Sequence, residues 1–179
     1  MLLAHESVLI IIDVQGKLAR VVENSEACIN KIKKLIQIAK VLEIPTMLTA
    51  QVPEKLGSTI PEVAELLPGL CDIPRTSFSV FRNAQICANL GNLGRPNVII
   101  CGFETHICLY QSATDLLNAG YAVHLVADCT CSRVDFNKQI ALTMLTKAGV
   151  HLTTVEMAMF EMLRDAKHPR FKQLASLIK

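Results

Sequence analysis

Three residues of this sequence carry side chains suited to nucleophilic catalysis: Asp13, Arg75 and Cys108. Cys108 lies in CGFETHICLYQSATDLLNAG, residues 101–120, where an apolar strand gives way to a helix. A helix start gathers unpaired N–H groups and positive dipole potential, and that setting lowers a thiol's pKa. A cysteine there can equally pack as a small hydrophobe, so the partners decide. A nucleophilic thiol needs a proton acceptor, a nearby cation and N–H donors for an oxyanion. Asp13 can accept the proton, although an aspartate at a strand end can also simply cap the next turn. Arg75 can hold a thiolate and a carboxylate by charge, or serve in a structural ion pair. The backbone N–H of Cys108, with another a turn earlier, can hold the oxyanion. His106 stands two residues from Cys108, so on a helix the two side chains face different ways. It is expected to cap or line the pocket rim and not to form a Cys–His dyad.

The elements that must position these residues follow from the hydropathy pattern. SVLIIID, 7–13, is a continuous β-branched run that ends in Asp13, as expected of a strand buried on both faces. Residues 25–44 place Ile29, Ile32, Leu35, Ile36 and Ala39 at helical spacing behind a candidate N-cap, Ser25. Further strands are expected at 45–50, 71–74, 96–103, 121–128 and 150–155. Helices are expected at 83–92, from Thr105 to a stop at Gly120, at 135–149, near 156–163 and at the C-terminus, with a short helix within the loop 52–70. Strands alternate with helices throughout, which predicts an α/β fold, a three-layer α/β/α domain with a parallel sheet, over residues 1–179. Ligands of such sheets bind at the carboxyl ends of the strands, where Asp13, Arg75 and Cys108 all fall.

Composition narrows the function classes. The chain has 179 residues, of which 51% are hydrophobic and 19% charged, so a self-sufficient core is expected. Eighteen Lys and Arg against sixteen Asp and Glu give +2, with no long basic run, and nucleic acid is not expected as a partner. Seven cysteines at irregular spacing fit a reducing, cytoplasmic setting better than a disulfide framework. No signal peptide and no membrane span are expected. Cys129 and Cys131 with His106 and Cys108 raise a zinc reading, but there is no CxxC pair and no second pair at finger spacing. Asp128 is expected to end its strand and orient the loop CTCSR.

At Asp13-Val14-Gln15, at RTSFS (75–79) and along GFETHICLYQSATDLLNAGYAVHLVADCTCSR (102–133) the chain resembles the isochorismatase-like cysteine hydrolases. LGSTIPE (56–62) and DAKHPRFKQL (165–174) point to the isochorismatase-domain-containing subgroup. The resemblance implies a six-stranded sheet of order 3-2-1-4-5-6. It makes Asp13 the general base and Cys108 the nucleophile. The third family member is a lysine, which Arg75 replaces here; arginine keeps its charge but does not shuttle protons. It further implies a cis peptide at Phe103–Glu104, an oxyanion held by the Glu104 and Cys108 amides, and a pocket that also draws on Thr105, His106, Gln15, Gln51 and Phe78. Metal-binding relatives carry histidines after the second strand; TAQVPEKLGST (49–59) has none, so neither a metal nor another cofactor is expected. The implied function is a cysteine hydrolase acting on a small amide-type compound. The alternatives are a catalytically weak binding or scaffold protein and, third, nucleic-acid processing. A homo-oligomer, dimer or tetramer, is expected, with Met157, Met159, Phe160 and Met162 as candidate contacts.

Overall fold

The computed structural model describes residues 1–178. Its six strands are β1 (Ser7–Ile12), β2 (Thr46–Gln51), β3 (Ile73–Arg75), β4 (Asn97–Phe103), β5 (Ala122–Cys131) and β6 (His151–Thr153). All pair in parallel, in the order β3-β2-β1-β4-β5-β6. The helices are α1 (Leu18–Val21), α2 (Ser25–Val41), α3 (Pro53–Leu56), α4 (Pro61–Ala64), α5 (Ala84–Leu93), α6 (Tyr110–Asn118), α7 (Asp135–Ala148), α8 (Val155–Leu163) and α9 (Phe171–Ile178). None is long and apolar enough to cross a membrane.

The layers follow from side-chain alternation along the strands. Leu9, Ile11, Ile99 and Cys101 face one way and pack on Ile32, Leu35 and Ile36 of α2, Met159 of α8 and Leu174 of α9. Val8, Ile10, Ile12, Val98, Ile100 and Leu125 face the other way, onto Ile86 of α5, Ala113 and Leu116 of α6 and Leu145 of α7. Each fully buried Leu or Ile contributes about 1.5–3 kcal/mol relative to exposure. Because β1 and β4 are neighbours and the chain leaves them toward opposite edges, a crevice opens at their carboxyl ends.

Several boundaries depart from expectation: β3 is Ile73–Arg75 and not 71–74, and β6 is His151–Thr153 and not 150–155. Asn24, in left-handed backbone, takes the cap position before α2, while the Ser25 hydroxyl donates to the Ala19 carbonyl of α1. β5 does not stop at Asp128 but runs to Cys131, because pairing with β4 slips between Ile100↔Leu125 and Gly102↔Thr130 and then resumes. Gly102 marks the slip. Its φ is +117°, and a Cβ there would stand 1.9 Å from the Ile12 carbonyl oxygen. Only glycine lets β4 press so closely on β1.

Candidate active site

The carboxyl edge of the sheet brings four strand ends together. Arg75 is the last residue of β3, Gln51 the last of β2, and Asp13 follows β1 in left-handed backbone, φ 53°. Beyond β4, a single π turn, Thr105–Leu109, leads into α6 and carries Cys108. An Arg75 guanidinium nitrogen donates to Asp13 Oδ2 and the other terminal nitrogen to the Ser77 carbonyl. Asp13, Arg75 and Cys108 are 1, 4 and 4% exposed, so this charge chemistry is shielded from water. Burial pushes the Asp13 carboxyl above its ordinary range, against the pull of Arg75 and of the Cys108 thiol.

Cys108 was expected in the first turn of an α-helix with a lowered pKa; neither feature is found. The thiol is pushed up to about 12, first by burial and then by the Asp13 carboxylate, with Arg75 opposing. Arg75 is already committed to Asp13 and Ser77, so its charge does not outweigh those effects. The π turn has its own consequence. The Glu104 carbonyl accepts from the amides of Ile107 at 3.2 Å and Leu109 at 3.3 Å, and the Cys108 amide between them is left out of that pair. The Ser112 hydroxyl donates to the Cys108 carbonyl at 2.5 Å and accepts from the Val80 amide at 3.0 Å, which fixes the nucleophile's backbone. Ser112 went unnoticed in the sequence, although a serine four residues after a helical carbonyl is a readable back-bonding pattern. Gln51 Oε1 lies 3.9 Å from Cys108 Sγ.

The turn is tied to the end of β5. The Phe103–Glu104 peptide is cis. The Glu104 carboxylate accepts from the Arg133 amide at 2.9 Å and its side-chain Nε at 3.1 Å. Thr105 Oγ1 meets Thr130 Oγ1 at 2.7 Å, and His106 Nδ1 meets Ser132 Oγ at 3.0 Å. Nothing in the hydropathy pattern announces these cross-strand partners. Gln15 is fully buried and spends its amide on backbone: Nε2 donates to the carbonyls of Gln51 and Gly57, and Oε1 accepts from the Gln51 amide. Gln15 thereby fixes the end of β2. The Phe103 side chain belongs to the core on the α2 face, and Phe78 stands exposed on the loop after Arg75. Asp128 does not orient the CTCSR loop; it accepts from the Val155 amide at the start of α8 and pairs with Lys31 at 3.3 Å.

Among the described residues, three buried side-chain polar atoms lack a hydrogen-bond partner: Asp13 Oδ1, Arg75 Nε and Ser79 Oγ. Two belong to the central ion pair, and the third lies four residues beyond Arg75 on the same loop. Buried polar atoms are almost always paired, and orphans on both members of one ion pair suit a ligand site. Among the described residues no three His, Cys, Asp or Glu side chains converge as metal ligands.

Residues 7–157 match the model of the isochorismatase domain. The chain is 36% identical over 173 residues to isochorismatase domain-containing protein 2 of Danio rerio, covering 96% of this chain and 86% of that one. A MAR1 ribonuclease from Caenorhabditis elegans superposes with a TM-score of 0.93 at 33% identity, over 98% of this chain and 91% of that one. The ycaC gene product of Escherichia coli, described as an octameric hydrolase of unknown specificity, superposes with a TM-score of 0.93 at 23% identity, over 99% and 88%. With the domain model spanning the sheet from β1 into α8, the chain belongs to the isochorismatase domain family, and that membership supports a hydrolase.

Proposed function

We propose that this chain is a cysteine hydrolase that cleaves a small amide-type compound through a Cys108 thioester, with Asp13 as the base. The observation that carries the reading is the buried Asp13–Arg75 pair beside a thiol, with unpaired polar atoms on both members. Cys108 attacks the substrate carbonyl carbon while Asp13 takes the thiol proton. The oxyanion sits on the backbone N–H groups of Glu104 and Cys108. Asp13 then returns the proton to the departing nitrogen, the C–N bond breaks, and an amine or ammonia leaves. Water attacks the thioester, giving a proton to Asp13 and an acid product, and Asp13 reprotonates the thiol. A carboxyl raised toward neutrality suits both the basic and the acidic step. A thiol held high keeps its proton until the attack, so the nucleophile forms only in the presence of substrate. Arg75 does not relay protons; it holds the carboxylate in place and stabilises negative charge near the sulfur.

The near-complete burial of the three side chains supports a small substrate. The free state of all seven cysteines supports a reducing, cytoplasmic setting. We read the working form as a homo-oligomer. The test is a panel of small primary amides assayed with the native protein, Cys108→Ala and Asp13→Asn, with intact-mass detection of an acyl adduct. Turnover and an adduct on the Cys108 peptide, both lost in Cys108→Ala, are expected. Turnover that survives Cys108→Ala rejects the nucleophile, and binding without turnover leaves the scaffold reading. A second reading, RNA cleavage, is favoured by the ribonuclease name that structural neighbours carry, the C. elegans protein among them. It predicts RNA hydrolysis that persists in Cys108→Ala.

A further inference from the structure

Gln51 ends β2 beside the hydrolytic centre, and the steps above leave its side chain unused. Its Nε2 donates to the Thr76 carbonyl at 3.3 Å. A carbonyl oxygen only accepts, so this bond decides which end of the amide points where. The nitrogen faces the loop after β3, and Oε1 faces the thiol, accepting from Cys108 Sγ at 3.9 Å. A thiol is a weak donor, so Oε1 stands ready for a better one. The backbone beneath is held from both sides. The Gln51 amide donates to Gln15 Oε1 at 2.7 Å, and the Gln51 carbonyl accepts from Gln15 Nε2 at 3.0 Å. In the sheet Gln51 is in register with Arg75. Asp13, Arg75 and Cys108 are almost fully buried, whereas Gln51 is half-buried and stays open to an approaching ligand.

Strand order limits what Oε1 can meet. β4, which leads to the amides of Glu104 and Cys108, lies on one side of β1, and β2 with Gln51 lies on the other. A carbonyl attacked by Cys108 with its oxygen on those amides turns its departing group toward Asp13, which follows β1, and toward Gln51. Asp13 Oδ1, buried and without a partner, serves the moving proton. Gln51 Oε1 is a neutral acceptor next to it. In the tetrahedral intermediate of an amide the nitrogen carries a lone pair and at least one N–H unless it is fully substituted. The lone pair faces Asp13, which delivers the proton, and the N–H faces Gln51. An ester brings an alkoxy oxygen instead, which offers Oε1 only lone pairs. A site that hydrogen-bonds an N–H disfavours the analogue lacking it, because its own acceptor is then left unpaired.

We infer that Gln51 determines specificity at this site: its Oε1 accepts an N–H of the scissile group, so the substrate is a carboxamide that keeps an N–H and not the corresponding ester. The inference rests on the hydrolase reading above and names the group its substrate presents. Gln51 moves no proton itself. It selects the nitrogen and turns the lone pair toward Asp13, and Thr76 keeps its amide from presenting the wrong end.

Competitive alkylation of Cys108 in the full chain tests this without requiring turnover. Chloroacetamide and methyl chloroacetate differ in the N–H. With either, sulfur attacks the methylene carbon, chloride leaves and the thiol proton passes to Asp13. The carboxamide then stands one carbon from the sulfur, within reach of an acceptor 3.9 Å from it. Rates are read by peptide mass spectrometry and divided by those of N-acetylcysteine, which removes intrinsic reactivity. The native protein is expected to favour chloroacetamide by roughly tenfold, the worth of one hydrogen bond. Gln51→Met keeps the length of the side chain and the backbone bonds to Gln15, and is expected to lose the preference with unchanged far-UV circular dichroism. Gln51→Glu still offers an acceptor and is expected to retain the preference at a lower absolute rate, because a second negative charge stands by the thiol. No preference in the native protein, a preference that survives Gln51→Met, or failure of chloroacetamide to label Cys108 overturns the assignment. A chain that shows the preference but hydrolyses no amide rejects the thioester reading alone. A hydrolase without the preference rejects the role of Gln51 alone.

Discussion

The effect of Arg75 on Asp13 and Cys108 is electrostatic and can be read by removing it. Arg75→Ala leaves the Asp13 carboxyl buried without its partner. Breaking such a pair costs about 3–5 kcal/mol, measurable as a lower urea midpoint. The same substitution removes the charge that pulls the Cys108 thiol down, so alkylation of Cys108 by chloroacetamide at fixed pH slows, while Arg75→Lys keeps most of the rate. Faster labelling in Arg75→Ala would reverse the assigned sign. The pH profile of that labelling carries a second expectation. If Asp13 takes the thiol proton, the rate rises with pH through the Asp13 ionisation, and the step lies above the ordinary aspartate range because burial raises it. Asp13→Asn then loses the step. At this scale the sequence displayed the principal side chains, since an acid at a strand end and a thiol at a helix start are local patterns. It did not display Ser79, Ser132 or Arg133, whose roles depend on how two loops meet. Nor could it give the sign of the thiol shift, which depends on burial and on the distance to Asp13.

The strands and helices were legible because their periods differ: continuous apolar runs for β1 and β4, and a spacing of three and four for α2. The extension of β5 was not legible, because it depends on one glycine next to a neighbouring strand. That dependence can be tested with a pair of substitutions. Gly102→Ala places a methyl 1.9 Å from the Ile12 carbonyl oxygen in a backbone conformation that side chains rarely adopt. It is expected to destabilise the fold by at least about 3 kcal/mol and to disturb Asp13, the next residue after Ile12. Gly91→Ala lies within α5 with open space around it and ordinary backbone, and is expected to stabilise by about 0.5–1 kcal/mol. Urea unfolding of both variants decides the matter. Equal effects would mean that the contact between β1 and β4 at Gly102 yields more readily than the geometry implies.

Stability of the whole molecule varies with pH through groups far from the hydrolytic centre as well as in it. His124 on β5 is buried and stacks on His151 of β6, with ring centres 4.9 Å apart and planes 25° from parallel. Glu161 of α8 and the chain's N-terminus also face it. Burial, then the charge of His151, lowers the His124 pKa from 6.5 to about 4. Between those values the unfolded chain binds a proton that the folded one refuses. Stability is therefore intact above about pH 6.5 and falls as the pH drops toward 4, with a slope of at most about 1.4 kcal/mol per pH unit from this group. Asp13 acts with the opposite sign. Its raised carboxyl binds a proton more readily when folded, so its contribution grows as the pH falls from its folded pKa toward the ordinary aspartate value of 3.8. Urea midpoints measured from pH 7 to pH 4 separate the two. His124→Phe, which keeps a ring against His151, should flatten the acid decline, and Asp13→Asn should steepen it. A native curve that is flat over this range while both variants leave it flat would mean that neither group changes its proton affinity on folding, and the electrostatic description of both the β5–β6 edge and the hydrolytic centre would have to be abandoned together.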